Sequence, residues 1–146
     1  MKRIDFTTHI NASPQKVWDV LWNDATYRQW TNVFSEGSYA VSDWKEGSSI
    51  QFLGPSGDGM FSQIDSMKPN EFMSFTHLGI MKEGVQQPED ETSKSWSGSK
   101  EMYTLKSSDN GTDLKVELDS TDEFADYFTK TFPNALEKVK ALAESA

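Results

Sequence analysis

His9 and His77 are the only imidazoles in the chain, and there is no cysteine. A histidine-based metal site or catalytic triad would need both, yet they fall on different strand-like segments. The alternation of the first segment turns His9 toward solvent. His77 shares a strand face with Met73 and Phe75, where an imidazole could orient a ligand or move a proton; a hydrogen-bonded histidine at a sheet end is the preferred reading. Without cysteine there is no thiolate nucleophile, no disulfide framework and no thiolate-bound zinc or iron–sulfur cluster. No acid and base pair can be placed, so the expectation is no catalytic set, no metal site and no cofactor.

Two other stretches invite chemistry. Gly54-Pro55-Ser56-Gly57-Asp58-Gly59 has the glycine density of a phosphate-cradling loop, but Met60-Phe61-Ser62-Gln63-Ile64 follows as a strand. A phosphate loop leads instead into a helix carrying Lys and Ser or Thr. A hairpin loop explains it better. Glu89-Asp90-Glu91 lacks the spaced oxygen ligands and central glycine of a calcium loop, and reads as solvated loop.

The aromatic residues carry more. They make up 12% of the chain, with five Trp and nine Phe, against 36% hydrophobic residues in all. A small core filled with rings leaves gaps that branched aliphatics would close, and an apolar gap with a few polar groups at its mouth suits a small ligand. The candidate ligand-binding residues are Trp30, Phe34, Phe52, Met60, Phe75, His77, Trp96, Tyr103, Phe124, Tyr127, Phe128 and Phe132. Tyr127 and His77 are the candidates for the polar groups at the mouth of that gap. Ordinary core packing is the competing explanation for each ring taken singly.

These residues need elements to position them. Ile4 to Ile10 alternates as a half-buried strand, and Asn11-Ala12-Ser13-Pro14 starts a short helix with Ser13 as N-cap and Pro14 at its first position. A second short helix is expected over Asp24 to Trp30. Strands follow at Ser38–Asp43, Ser48–Leu53, Gly59–Met67, Glu71–Gly79, Trp96–Lys106 and Thr112–Leu118. Their short, turn-rich connections, including Asp109-Asn110-Gly111, predict an antiparallel meander. Met81 to Ser95 has no apolar period and is expected to be a long mobile loop.

Ser120 with Glu123 reads as a capping box for a C-terminal helix. Phe124 to Leu142 then repeats apolar residues at three and four residue steps over roughly 28 Å. Pro133 should bend it near Thr129 to Pro133. One α+β domain of 146 residues, with about six to seven strands curved around a long C-terminal helix, accounts for everything.

The formal net charge of −9 repels phosphate backbones and anionic lipid, so neither nucleic acid nor a membrane is an expected partner. The opening residues lack the apolar run of a signal peptide, and no stretch approaches the roughly 20 apolar residues of a membrane span. The expected location is cytoplasmic.

Strand, two short helices, six strands and a long amphipathic helix is the order of the helix-grip fold, and the residues resemble the START-like or SRPBCC superfamily. Within it they are similar to the group of the activator of the ATPase of the ninety-kilodalton heat-shock protein. The resemblance is carried by Ile10-Asn11-Ala12-Ser13-Pro14-Gln15-Lys16-Val17-Trp18, Tyr27-Arg28-Gln29-Trp30, Asn110-Gly111-Thr112-Asp113-Leu114 and Ala135-Leu136-Glu137-Lys138-Val139-Lys140. It implies a cavity between sheet and C-terminal helix, with binding of a hydrophobic small molecule, lipid-like or aromatic, as the expected function. The alternatives it implies are a cyclase- or hydrolase-type enzyme in the same cavity, and a chaperone partner with a part in the stress response.

Overall fold

The alternation at the start of the chain forms strand β1 (Lys2–Ile10) in a computed structural model that describes residues 1–145. Helix α1 (Pro14–Trp22) follows, and the turn between them is tied on several sides. The Ser13 hydroxyl accepts from the Lys16 amide at 3.2 Å as N-cap, and Pro14 occupies the first turn, where its missing N–H has no partner to lose. The Ala12 carbonyl accepts from the buried Thr112 hydroxyl at 2.7 Å, and the Asn11 amide donates to Glu144 at 2.8 Å.

Helix α2 (Asp24–Thr31) comes next, then strands β2 (Tyr39–Ser42), β3 (Ser49–Leu53), β4 (Gly59–Lys68), β5 (Phe72–Lys82) and β6 (Val85–Gln86). Helix α3 (Glu91–Lys94), strands β7 (Lys100–Ser108) and β8 (Gly111–Ser120) and helix α4 (Asp122–Glu144) complete the order. The strands form one antiparallel sheet, β1-β8-β7-β5-β4-β3-β2, with β6 paired to the end of β5. This is the helix-grip architecture, with α4 held against the inner face. No helix among the described residues is long and apolar enough to cross a membrane.

Four local expectations change. The stretch expected as a structureless loop from Met81 to Ser95 holds the end of β5, all of β6, and α3. A reciprocal cap of Asp90 and Ser93 forms that helix, a device with no apolar period to betray it. Strand β7 starts at Lys100 rather than Trp96, because Trp96 to Ser99 turns back on β5 through Gly98 N to His77 O at 2.7 Å and His77 N to Ser99 O at 2.9 Å. Ser120 does not cap α4: it is still paired with Lys2 in the ladder, and Thr121 is the N-cap without a side-chain bond. Asp122 and Glu123 in the first turn face the positive end of the helix dipole instead. Helix α4 continues through Pro133, whose missing N–H leaves the Thr129 carbonyl without its intrahelical donor. In the β7–β8 hairpin the central pair is Asp109-Asn110, both at positive φ, and Gly111 is already strand.

The core lies between the sheet and the C-terminal half of α4. Phe132, Ala135, Leu136 and Val139 are buried against Ile10, Leu114 and Val116 of the sheet and Val17 and Leu21 of α1. Phe132 stacks on Phe6 at 5.2 Å. The N-terminal half of α4 is different. Phe124 and Tyr127 are nearly half exposed, so the apolar stripe grips the sheet with its second half and overhangs a hollow with its first.

Candidate functional site

That hollow is a cavity of about 440 Å³ between the inner face of the sheet, α2 and its following loop, and the first half of α4. Its walls are rings meeting edge to face: Trp30 with Phe34 at 6.5 Å, Trp30 with Tyr103 at 6.4 Å, and Phe34 with Phe132 at 4.8 Å. Such edge-to-face contacts suit the ring quadrupoles and keep the walls stiff. The β3–β4 hairpin, Leu53 to Gly59, forms one lip. The Gly57 carbonyl accepts from the Gly84 amide at 3.0 Å, and the Asp58 carboxylate from the Glu83 amide at 2.9 Å, which hold the hairpin in place. The opposite lip is the loop from Thr31 to Ser38, and the Tyr127 hydroxyl donates to the Phe34 carbonyl at 3.0 Å to fix α4 to it.

Eight of the expected residues line this cavity: Trp30, Phe34, Phe52, Met60, Tyr103, Tyr127, Phe128 and Phe132. The other four do not. Phe75 is fully buried one layer deeper, its ring 5.2 Å from that of Phe52. His77 points inward, as its shared face with Met73 and Phe75 requires, but lies behind Phe52 with ring centroids 5.8 Å apart. Trp96 sits in the turn between α3 and β7, and Phe124 is 45% exposed at the outer end of α4.

Among the lining residues that the ring-based reading passed over, Tyr27 and Tyr39 included, Glu101 is the one whose charge sets the chemistry of the floor. Alternation along β7 places Glu101, Tyr103 and Leu105 on one face, so a carboxylate sits in an otherwise apolar row. Its Oε1 lies 3.1 Å from His77 Nε2, and its Oε2 accepts from the Tyr103 hydroxyl. On the far side of the imidazole, His77 Nδ1 lies 2.7 Å from Ser62 Oγ. Burial alone would raise the Glu101 pKa, but the hydrogen bond and charge of His77 and the bond from Tyr103 outweigh it and hold it below the usual carboxylate range. An ionised carboxylate only accepts, so His77 Nε2 carries the proton that it donates to Glu101. Burial, and then the Glu101 charge, push the phenols of Tyr27 and Tyr103 upward, so both remain protonated.

Ser62, His77 and Glu101 have the order of a nucleophile, base and orienting acid, yet Ser62 is 1% exposed and absent from the cavity wall. A nucleophile that substrate cannot reach does no acyl transfer. The group that faces the cavity is the carboxylate, with the imidazole behind it. A smaller hollow of about 290 Å³ opens elsewhere among Trp18, Trp22, Trp44, Met67 and Met73. Trp44 there holds a positive φ of 58°, and the buried Trp22 indole N–H has no partner among the described residues.

A family model described as "Activator of Hsp90 ATPase homolog 1-like protein" matches residues 11–144. No curated protein matches the chain. Among solved structures, the Aha1 dimer from Colwellia psychrerythraea is 23% identical, with 99% of this chain and 98% of that chain covered at a TM-score of 0.71. ChR145 from Cytophaga hutchinsonii is 22% identical over 99% and 94% of the two chains, TM-score 0.72. Protein MLL2253 from Mesorhizobium loti is 16% identical over 97% and 96%, TM-score 0.75. At these identities the likeness speaks for the fold.

Proposed function

The chain belongs to the activator of Hsp90 ATPase homolog 1-like family, and within that fold we propose that it binds a hydrophobic small molecule in the cavity beneath the first half of α4. The observation that carries this is the cavity itself: about 440 Å³, walled by Trp30, Phe34, Phe52, Phe128 and Phe132, with a hydrogen-bonding group at its floor. Its size and apolar lining are those of small-molecule sites. An amide NMR titration with lipid-like and aromatic compounds tests it. Saturable shifts gathered on the α2–β2 loop, the β3–β4 hairpin and Tyr127 to Phe132 support binding; a diverse panel that moves none of them rules it out.

Proton transfer is the second function, favoured by the Glu101–His77 pair at 3.1 Å, whose carboxylate alone touches the cavity. It requires turnover of a bound compound that Glu101→Gln abolishes while binding persists. A chaperone partner, which the family description brings to mind, would use exposed surface. Phe124 and Tyr127 are exposed rings on one side of α4, and a pull-down with the chaperone that their replacement by serine leaves unchanged would remove that role from them.

A further inference from the structure

The charges around the cavity narrow what can enter it. Of its lining side chains, Glu101 at the floor and Asp58 at the lip are acidic, and none is Lys, Arg or His. An anionic head group would therefore meet a carboxylate in a poorly solvated space with no cation to pair with, where like charges repel far more than in water.

The floor also has unused acceptor capacity. A carboxylate offers about four lone-pair directions, and Glu101 uses one oxygen for His77 and the other for Tyr103. Its side chain keeps 21% of its surface open, on the side where the cavity lies. Because the Tyr103 hydroxyl donates to Glu101, its proton is taken and it offers a ligand no donor. The floor is thus a cluster of acceptors below a ring-lined shaft.

We propose that the cavity selects apolar ligands that carry a hydrogen-bond donor, such as a phenol or a primary ammonium, seated on Glu101, and that it rejects fatty acids and other anionic amphiphiles. This rests on the cavity being a binding site, and deepens it by naming the head group. Donors in the ligand complete the acceptors at the floor, while the ring or chain behind the head fills the aromatic shaft. Charge-assisted hydrogen bonds of this kind are about twice as strong as neutral ones.

Four compounds sharing one ring system isolate the head group: naphthol, naphthylmethylamine, methoxynaphthalene and naphthoate, titrated by calorimetry into the full chain and into Glu101→Gln. Naphthol and the amine are expected to bind at least about tenfold more tightly than methoxynaphthalene, with naphthoate the weakest of the four. In Glu101→Gln the advantage of the amine should collapse and naphthoate should gain. Comparing ratios within each variant removes any difference in its folded fraction. If methoxynaphthalene or naphthoate binds the unaltered protein as tightly as naphthol, the head-group selection is wrong while the cavity stands as a binding site. If none of the four binds, both are overturned.

Discussion

The imidazole of His77 lies 3.1 Å from the Glu101 carboxylate without itself reaching the cavity. A histidine placed behind a carboxylate acts through it: it fixes the orientation of the carboxylate and supports its charge, and any ligand meets only the result.

This arrangement gives a pH dependence with a definite sign. Glu101 has a pKa lowered from its ordinary 4.5, because His77 and Tyr103 outweigh the burial that opposes ionisation. The unfolded chain therefore takes up the proton first. The stabilisation is complete above the unfolded value and is lost as pH falls through the folded one. Thermal unfolding followed downward from neutral pH should show a smaller acid-induced loss for Glu101→Gln than for the unaltered protein. Equal losses would mean that the partners of Glu101 do not stabilise its charged form.

Phe132 and Phe128 lie one turn apart on α4, but their roles separate. Phe132 is 3% exposed and stacked on Phe6, so Phe132→Ala should cost about 3–5 kcal/mol in urea unfolding. Phe128 is partly buried at the cavity wall, and Phe128→Ala should cost about 1 kcal/mol while weakening binding of a ring-bearing ligand. A large stability loss at Phe128 would make it a core residue instead.

The Tyr127 hydroxyl joins α4 to the α2–β2 loop through one bond to the Phe34 carbonyl at 3.0 Å. Tyr127→Phe should therefore change global stability by no more than about 1 kcal/mol. Amide hydrogen exchange in Val33 to Ser38 should quicken, because the loop loses its tie. Unchanged exchange there would show that the lip is held by other contacts.

Gly59 begins β4 where the hairpin turns toward the cavity. A Cβ at this position would stand 1.8 Å from the Phe52 carbonyl oxygen, so Gly59→Ala must push β3 and β4 apart. A loss of about 1–3 kcal/mol is expected, with chemical shift changes at Phe52 and Met60. A variant as stable as the parent would show that the hairpin relaxes freely.

Elements with strong local signals were legible in the sequence. Strand β1, the Ser13-Pro14 start of α1, the meander and the long stripe of α4 each announce themselves by period or cap. Strand β6 and helix α3 were not, since two and four residues are too short to show a period, and Asp90-Ser93 caps by a pair outside the usual Ser/Thr-to-Glu pattern. The rings around the cavity were largely readable as a set, but depth was not. Phe52 and Phe75 touch, yet one lines the space and the other is sealed behind it, which the curvature of the sheet decides. Glu101 could have been found from its place in the row of Tyr103 and Leu105, had a carboxylate on an apolar face been weighted as heavily as a ring.

The ladder between β1 and β8 joins Lys2 to Ser120 and Ile10 to Thr112, and the end of α4 is tied to the same turn through Asn11 and Glu144. During synthesis β1 is therefore made long before its partner and stays unpaired until β8 follows. Contacts so distant along the chain make for slow closure. The order of assembly is then imposed by topology: the β3–β4–β5 hairpins can form early, and the cavity acquires its roof only when α4 docks at the end.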